Sequence, residues 1–229
     1  MPFGVIDVTG LQQGGVAGIL PYTPVSYPIN LASDNDATKP PRRIAFSAYN
    51  TIGVSRSPFT LQTQIQEYSG QLWLAEITLP PMEREFAEIW ISWLLQLSGS
   101  KGTFYLGDPL GKTPRGSAAG SPQVNGAGQT GQVIQSKGWA ASITGILKAG
   151  DYLQIGTRLH KVLRDTNSDG SGLATIDIWP RLRESPPDNA TIVLSNTRGL
   201  FRLQNNTVPL FGSDETMTYD VSFSAIEAI

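Results

Sequence analysis

Residues 72–109 constrain the fold more than any other part of the sequence. They read LWLAEITLPPMEREFAEIWISWLLQLSGSKGTFYLGDP. An apolar strand runs into Pro80-Pro81, and proline is well placed at the start of a helix. Glu83, Glu85 and Glu88 follow in the first turns, where carboxylates favour the positive end of the helix dipole. Met82, Phe86, Ile89, Trp90, Trp93, Leu94 and Leu97 then recur at helical spacing. Ser98-Gly99 ends the helix, and an aromatic strand runs on to Gly107-Asp108-Pro109. The segment is architecture without visible chemistry, and it points to a protein that builds rather than converts.

The rest of the composition agrees. Charged residues make up 16% of the 229 positions, against roughly 25% in an average soluble protein. Ser, Thr, Asn, Gln and Gly must then supply the polar surface, as in all-β proteins and assembly subunits. The formal net charge is -2, which gives no basic field for nucleic acid or anionic lipid. The chain has no cysteine, so disulfides and thiolate metal sites are excluded. MPFGVIDVTG at the start lacks the charged and apolar regions of a signal peptide. The most apolar window, 89–97, is far shorter than the about 20 residues a membrane span needs. A soluble protein made in the cytoplasm, with no membrane insertion, is expected.

Residues 1–40 are rich in Gly, Pro and Asn and read as an extended arm. Residues 57–67 alternate, with Phe59, Leu61, Thr63 and Ile65 on one face, which predicts a half-buried strand. Residues 71–79 predict its hairpin partner across Tyr68-Ser69-Gly70. From Gly111 to Gly138 there is no Leu and no aromatic residue, and the segment reads as a linker or a loop-rich entry to a second domain. Short strands are expected at 152–155, 159–163, 174–179, 191–195 and 200–203, at the spacing of a small barrel or sandwich. Residues 216–225 alternate again, with Met217, Tyr219, Val221, Phe223 and Ala225 on one face, and are expected to return to the first sheet. The expected fold is mainly β. A β-sandwich domain with one flanking α-helix covers 1–110 and 204–229, and a small inserted β-barrel or β-sandwich domain covers 111–203.

Three patterns resemble chemical motifs and are better explained as structure. Gly107–Thr113 has three residues, not four, before Gly-Lys-Thr, and two prolines deny it a helix N-terminus, so it is not a phosphate loop. Asp165-Thr-Asn167-Ser-Asp169-Gly170 matches half a calcium loop, but the position of the bidentate Glu falls on Ile176. A polar hairpin loop explains the same residues. His160 is the only histidine, and no nucleophile elbow or cysteine accompanies it. No catalytic, cofactor-binding or metal-binding residue is assigned, no cofactor is expected, and the chain is expected not to be an enzyme.

Two surface readings remain. Trp139, Trp179 and Tyr152 could form a sugar-stacking platform, although aromatic residues in small β domains are more often core. On the helix, Ile91 and Leu95 point away from the main apolar stripe, beside Arg84 and Glu88. This second strip is either ordinary exposed surface, a site covered by another loop, or a contact between subunits.

Ile77-Thr-Leu-Pro-Pro-Met-Glu-Arg-Glu-Phe-Ala-Glu-Ile-Trp90, Leu94-Leu-Gln-Leu-Ser-Gly-Ser-Lys-Gly-Thr-Phe-Tyr105 and Gly107-Asp-Pro109 together resemble the tail-tip proteins of long, non-contractile-tailed phages. These are the distal tail proteins and the lambda-type minor tail protein M. The closing Tyr219-Asp-Val-Ser-Phe-Ser-Ala-Ile-Glu227 resembles that family's last strand. The short lambda-type protein lacks an insertion like the middle block here. The resemblance implies a hexameric ring of identical subunits in the virion tail, assembled in the host cytoplasm. Its implied partners are the tail tube protein and the tail hub or tip protein, with DNA passing through without specific binding. The competing reading is a carbohydrate-binding module of the virion that recognises a host-surface glycan.

Overall fold

The computed structural model describes residues 25–26, 41–207, 211–213 and 218–229. The expected arm at 1–40 lies outside these except for 25–26, and so do Thr216 and Met217 of the expected last strand. The chain is mainly β, with one α-helix among the described residues. In order, β1 (Val25–Ser26), β2 (Arg43–Arg56) and β3 (Thr63–Thr78) precede α1 (Arg84–Gln96) and β4 (Thr103–Leu106). Then come β5 (Gly120–Val124), β6 (Gly131–Trp139), β7 (Tyr152–Ile155), β8 (Arg158–Val162), β9 (Ala174–Leu182) and β10 (Ile192–Val193). The chain closes with β11 (Gly199–Leu203), β12 (Phe211–Ser213) and β13 (Tyr219–Glu227).

The first sheet has the order β1-β4-β11-β13-β3-β2, with β12 beside β13. The last strand returns to it as β13, antiparallel to β3, with Phe223 opposite Ile77 and Ala225 opposite Ala75. The alternation of β13 buries Val221, Phe223, Ala225 and Glu227 on one face. Helix α1 packs on that face through an aromatic cluster. Trp93 meets Phe104 edge to face at 5.1 Å and Phe223 at 6.0 Å. Each large apolar side chain so buried contributes about 1.5–3 kcal/mol. Met82, expected to open the helix stripe, instead pairs its backbone with Tyr219 before α1 begins.

The second sheet has the order β10-β7-β8-β9-β6-β5. Its outer strands approach each other: Gln123 bridges to Thr191, and the Val124 N–H donates to the Ala190 carbonyl at 2.9 Å. The sheet is therefore nearly closed, with Ile134, Ile146, Leu147, Leu153, Ile176 and Ile178 filling its interior. Asp151 is buried at its edge and accepts from three backbone N–H groups, those of Arg115 (2.9 Å), Gly116 (3.1 Å) and Lys148 (2.8 Å).

Three expectations are corrected. Residues 200–203 do not belong with the inserted strands. They form β11 in the first sheet, between β4 and β13, where Phe201 lies opposite Phe104 and Glu227. The strands of the second sheet thus all fall between Gly120 and Val193, and the boundary at 203/204 is misplaced. The segment read as a linker or a loop-rich entry to a second domain holds β5 and all of β6 but Trp139. Its strand period was hidden because an inward position carries Ser136, whose hydroxyl donates to the Ala174 carbonyl at 2.9 Å.

The third correction concerns the hairpin. The strand β3 runs unbroken through Tyr68-Ser69-Gly70, and its partner is β2. The turn lies at 57–62, where the Ser57 N–H donates to the Gln62 carbonyl and the Leu61 N–H to that of Ser57. Phe59 and Leu61 are turn residues. The Ser-Gly signal marks a bulge, since pairing passes from Asn50 opposite Gln71 directly to Ile52 opposite Glu67. Gly70 is needed there because a Cβ would fall 2.5 Å from the Thr51 hydroxyl.

Candidate assembly surface

The inner half of the β2–β3 hairpin belongs to the core. Ile44 and Phe46 lie opposite Ile77 and Ala75 and pack on the core, while Ala48, opposite Trp73, is exposed. Beyond the bulge every residue of β3 from Thr63 to Gly70 is exposed, as is nearly all of β2 from Thr51 to Arg56. About 20 Å of paired strand therefore projects from the fold. Cross-strand partners share a face, so Ile52, Val54 and Ile65 lie together, with Glu67 opposite Ile52, and continue the buried face of the sheet out into solvent. Val54 is 66% and Ile65 69% exposed, and Phe59 at the tip is 94% exposed. Tyr49 and Tyr68 are exposed on the opposite face, where the Tyr68 ring lies over Gly53.

β2 is also the last strand of the sheet order. Its outer row of N–H and C=O groups has no neighbouring strand among the described residues. A long, apolar, unpaired edge of this kind invites pairing with another chain. The alternation through Ile65 is visible in the sequence, but the partner it suggests, 71–79, is the same strand continued, and the true partner is β2. The signal that could have found it is Ile44, Phe46, Ala48, then Ile52 and Val54, the same period carried through 43–56.

Of the helix pair, only Leu95 is exposed, at 53%. Ile91 is buried, at 4%, in the same cluster as Trp90, Trp93 and Leu94. The buried residues of the helix are Ala87, Trp90, Ile91, Trp93 and Leu94, a stripe that includes the i, i+3, i+4, i+7 set from Ala87. The expected stripe is centred away from Ile91 because it counts Met82, which precedes the helix, and Ile89, which is exposed, and omits Ala87.

The three aromatic residues do not form a platform. Trp139 is buried in the second core, and its indole N–H donates to the Ser136 hydroxyl at 2.8 Å. Tyr152 is buried in the first core. Burial, and after it the nearby Asp108 carboxylate, push its phenol pKa up. Trp179 is half-buried against Trp73, and its indole N–H donates to Asn50 Oδ1 at 3.1 Å.

The calcium-like loop uses its oxygens internally. Asp165 accepts from the Ala149 N–H and from Lys148 Nζ, Asn167 from the Gly145 N–H, and Asp169 from the Ser171 and Leu173 N–H groups. Lys148 first, then the Ala149 N–H, hold the Asp165 carboxyl below its ordinary range. Among the described residues no group of three or more His, Asp or Glu side chains is placed to hold a metal. At the phosphate-loop-like turn, Asp108 accepts from the N–H of Leu110, and its backbone carbonyl accepts from that of Gly111. No helix among the described residues is long and apolar enough to cross a membrane.

His160 is buried. The Pro180 carbonyl can only accept, so at 2.7 Å His160 Nδ1 carries the proton and donates it. Burial lowers its pKa to about 4. It borders a cavity of about 570 Å³ at the mouth of the barrel-like sheet, together with Arg158, Arg181, Arg183, Glu184 and Glu227. Arg158 lies 3.7 Å from both Glu184 and Glu227. Burial raises the pKa of Glu227, against the lowering effect of the Trp73 N–H it accepts from and of Arg183 and Arg158. Compared with protein-family models and with curated proteins, the sequence matches none.

Proposed function

We propose that the chain is a structural subunit of a phage tail tip, of the distal-tail class, which assembles into a ring joining the tail tube to the hub. The observation that carries this reading is the projecting β2–β3 hairpin. Its stripe of Ile52, Val54 and Ile65 prolongs the core face of the sheet beyond the fold. A monomer gains nothing from this exposed apolar surface, whereas a neighbouring copy can cover the stripe and pair with the free edge of β2. The resemblance of 77–109 and 219–227 to the tail-tip family supplies the ring and its hexameric order. The net charge of -2 suits a wall that DNA passes without being held.

The test is the assembly state of the purified chain by sedimentation and negative-stain microscopy, beside Val54→Asp combined with Ile65→Asp. Rings are expected for the wild type. The double variant is expected to stay monomeric with an unchanged circular dichroism spectrum and unfolding midpoint. A wild-type chain that remains monomeric at high concentration, forms no rings and does not enter tails overturns the reading.

A further inference from the structure

The cavity at the barrel mouth is not used by the assembly reading. Residues 156–157 of the β7–β8 turn, the end of β9 and the 184–191 loop border it, and Glu227 reaches it from the first sheet. Its volume lies within the roughly 300–1,000 Å³ typical of small-molecule sites, and barrel mouths are a frequent place for them.

The charges in it are unevenly matched. Arg158 is satisfied, with Glu184 and Glu227 each at 3.7 Å and a hydrogen bond to the Ala228 carbonyl. Arg181 and Arg183 have no carboxylate within ion-pairing distance among the described residues. The Arg181 Nε is buried with no hydrogen-bond acceptor. That atom is closed to solvent, so a ligand in the cavity would meet the terminal nitrogens of Arg181. Arg183 lies two residues along the same strand direction, and burial disfavours its charged form, with Glu227 opposing and Arg158 adding to that effect. Glu184 compensates little, since its side chain is 86% exposed. Buried Leu182 and Pro186, with Ile155 and Val193, give the cavity an apolar wall.

We propose that this cavity binds a small organic carboxylate, its anionic head at Arg181 and Arg183 and its apolar body against Leu182, Pro186 and Val193. A guanidinium presents its donors in a planar fork matched to a carboxylate. The apolar wall favours an organic acid over an inorganic anion.

The full chain is titrated at neutral pH with benzoate, glucuronate, benzamide and inorganic phosphate, by calorimetry and by amide chemical-shift mapping. A carboxylate is expected to bind, benzamide is not, and the shifts centre on 156–158, 181–184 and 191–193. Arg183→Gln and Arg181→Gln, each checked for a native circular dichroism spectrum, are expected to weaken binding about tenfold. The shift map needs no variant, so it tests the site even where a substitution disturbs folding. Failure of both carboxylates to bind, shifts centred elsewhere, benzamide binding equal to benzoate, or phosphate binding as tight as benzoate each overturns the proposal. None of these outcomes bears on ring formation, which is read by sedimentation.

Discussion

Trp73 and Trp179 meet edge to face, with ring centroids 4.4 Å apart and an interplanar angle of 83°, and this contact joins the two sheets. Trp73 comes from β3 of the first sheet and Trp179 from β9 of the second. The Trp73 indole N–H reaches the Leu159 carbonyl on β8 at 2.9 Å. Gln71, two residues along β3, accepts from the Arg181 N–H at 2.9 Å. One face of β3 thus serves the first core toward its end and the seam at its middle.

Trp73→Ala removes a buried ring and its hydrogen bond, and is expected to cost about 3–5 kcal/mol. Trp179→Ala, at a half-buried site, is expected to cost less. The double variant should fall short of the sum by about 0.5–1.5 kcal/mol, the edge-to-face contribution. Urea unfolding followed by circular dichroism measures all three. Strict additivity shows that the two rings do not stabilise the seam through each other.

The seam also shows why the sequence was only partly legible. Elements whose pattern is set by one buried face were readable, as the helix and β13 show, and β7 and β8, buried on both faces, were readable as short apolar runs between turns. Trp179 and Tyr152 were readable as aromatic residues of a small β domain, but not as the place where that domain meets another sheet. That depends on Trp73, far away in the sequence. β6 was missed because Ser136 is buried by a hydrogen bond rather than by apolarity. The hairpin register was missed because the Ser-Gly pair that ordinarily marks a turn here marks a bulge, and only Thr51 on the other strand distinguishes the two. The cavity combines Arg158, Arg183 and Glu227 from three separate strands or strand ends, with no local spacing to reveal it.

Asp151 holds three backbone N–H groups that no other acceptor serves at those distances. Asp151→Ala is expected to destabilise the chain by about 1–3 kcal/mol, since it removes a buried carboxylate that serves three part-buried N–H groups, to which water retains some access. Asp151→Asn keeps one acceptor oxygen and should recover part of this. Arg115 lies 3.5 Å from the same carboxylate, but its side chain is 68% exposed. Arg115→Ala should therefore change stability by no more than about 1 kcal/mol. Thermal unfolding of the three variants ranks the effects, and an Arg115 loss as large as the Asp151 loss contradicts this account.

The bulge in the projecting hairpin makes a coupled expectation. Gly70→Ala places a Cβ 2.5 Å from the Thr51 hydroxyl oxygen and 3.2 Å from its Cβ. Both residues are exposed, so Thr51 can turn in part and the cost should stay near the low end of overpacking, about 1 kcal/mol. Thr51→Ala removes the closer contact, so the Gly70→Ala penalty should shrink in that background. The strain is local to the hairpin, so amide hydrogen exchange of 51–56 and 63–70 is the sensitive readout. Equal acceleration of exchange by Gly70→Ala in both backgrounds shows that Thr51 is not what requires the glycine.

His160 should give the chain an acid-sensitive component of stability. Its pKa is about 4 in the folded protein, against an ordinary 6.5, because burial disfavours the imidazolium and Arg158 and Arg183 add to the penalty, while the Pro180 carbonyl works the other way. A depressed folded pKa means the unfolded chain binds the proton more readily. The contribution is complete above about pH 6.5 and is lost as pH falls toward 4. Its size is at most about 3 kcal/mol. Glu227 acts in the opposite sense, because its pKa is raised by burial: its contribution is present at low pH and declines as pH rises through the folded value. The two effects overlap in part, so the wild-type profile alone does not separate them. The difference between the wild type and His160→Gln does. Urea midpoints at pH 7 and pH 4.5 should converge in the variant relative to the wild type. An equal drop in both chains assigns the acid sensitivity to other groups.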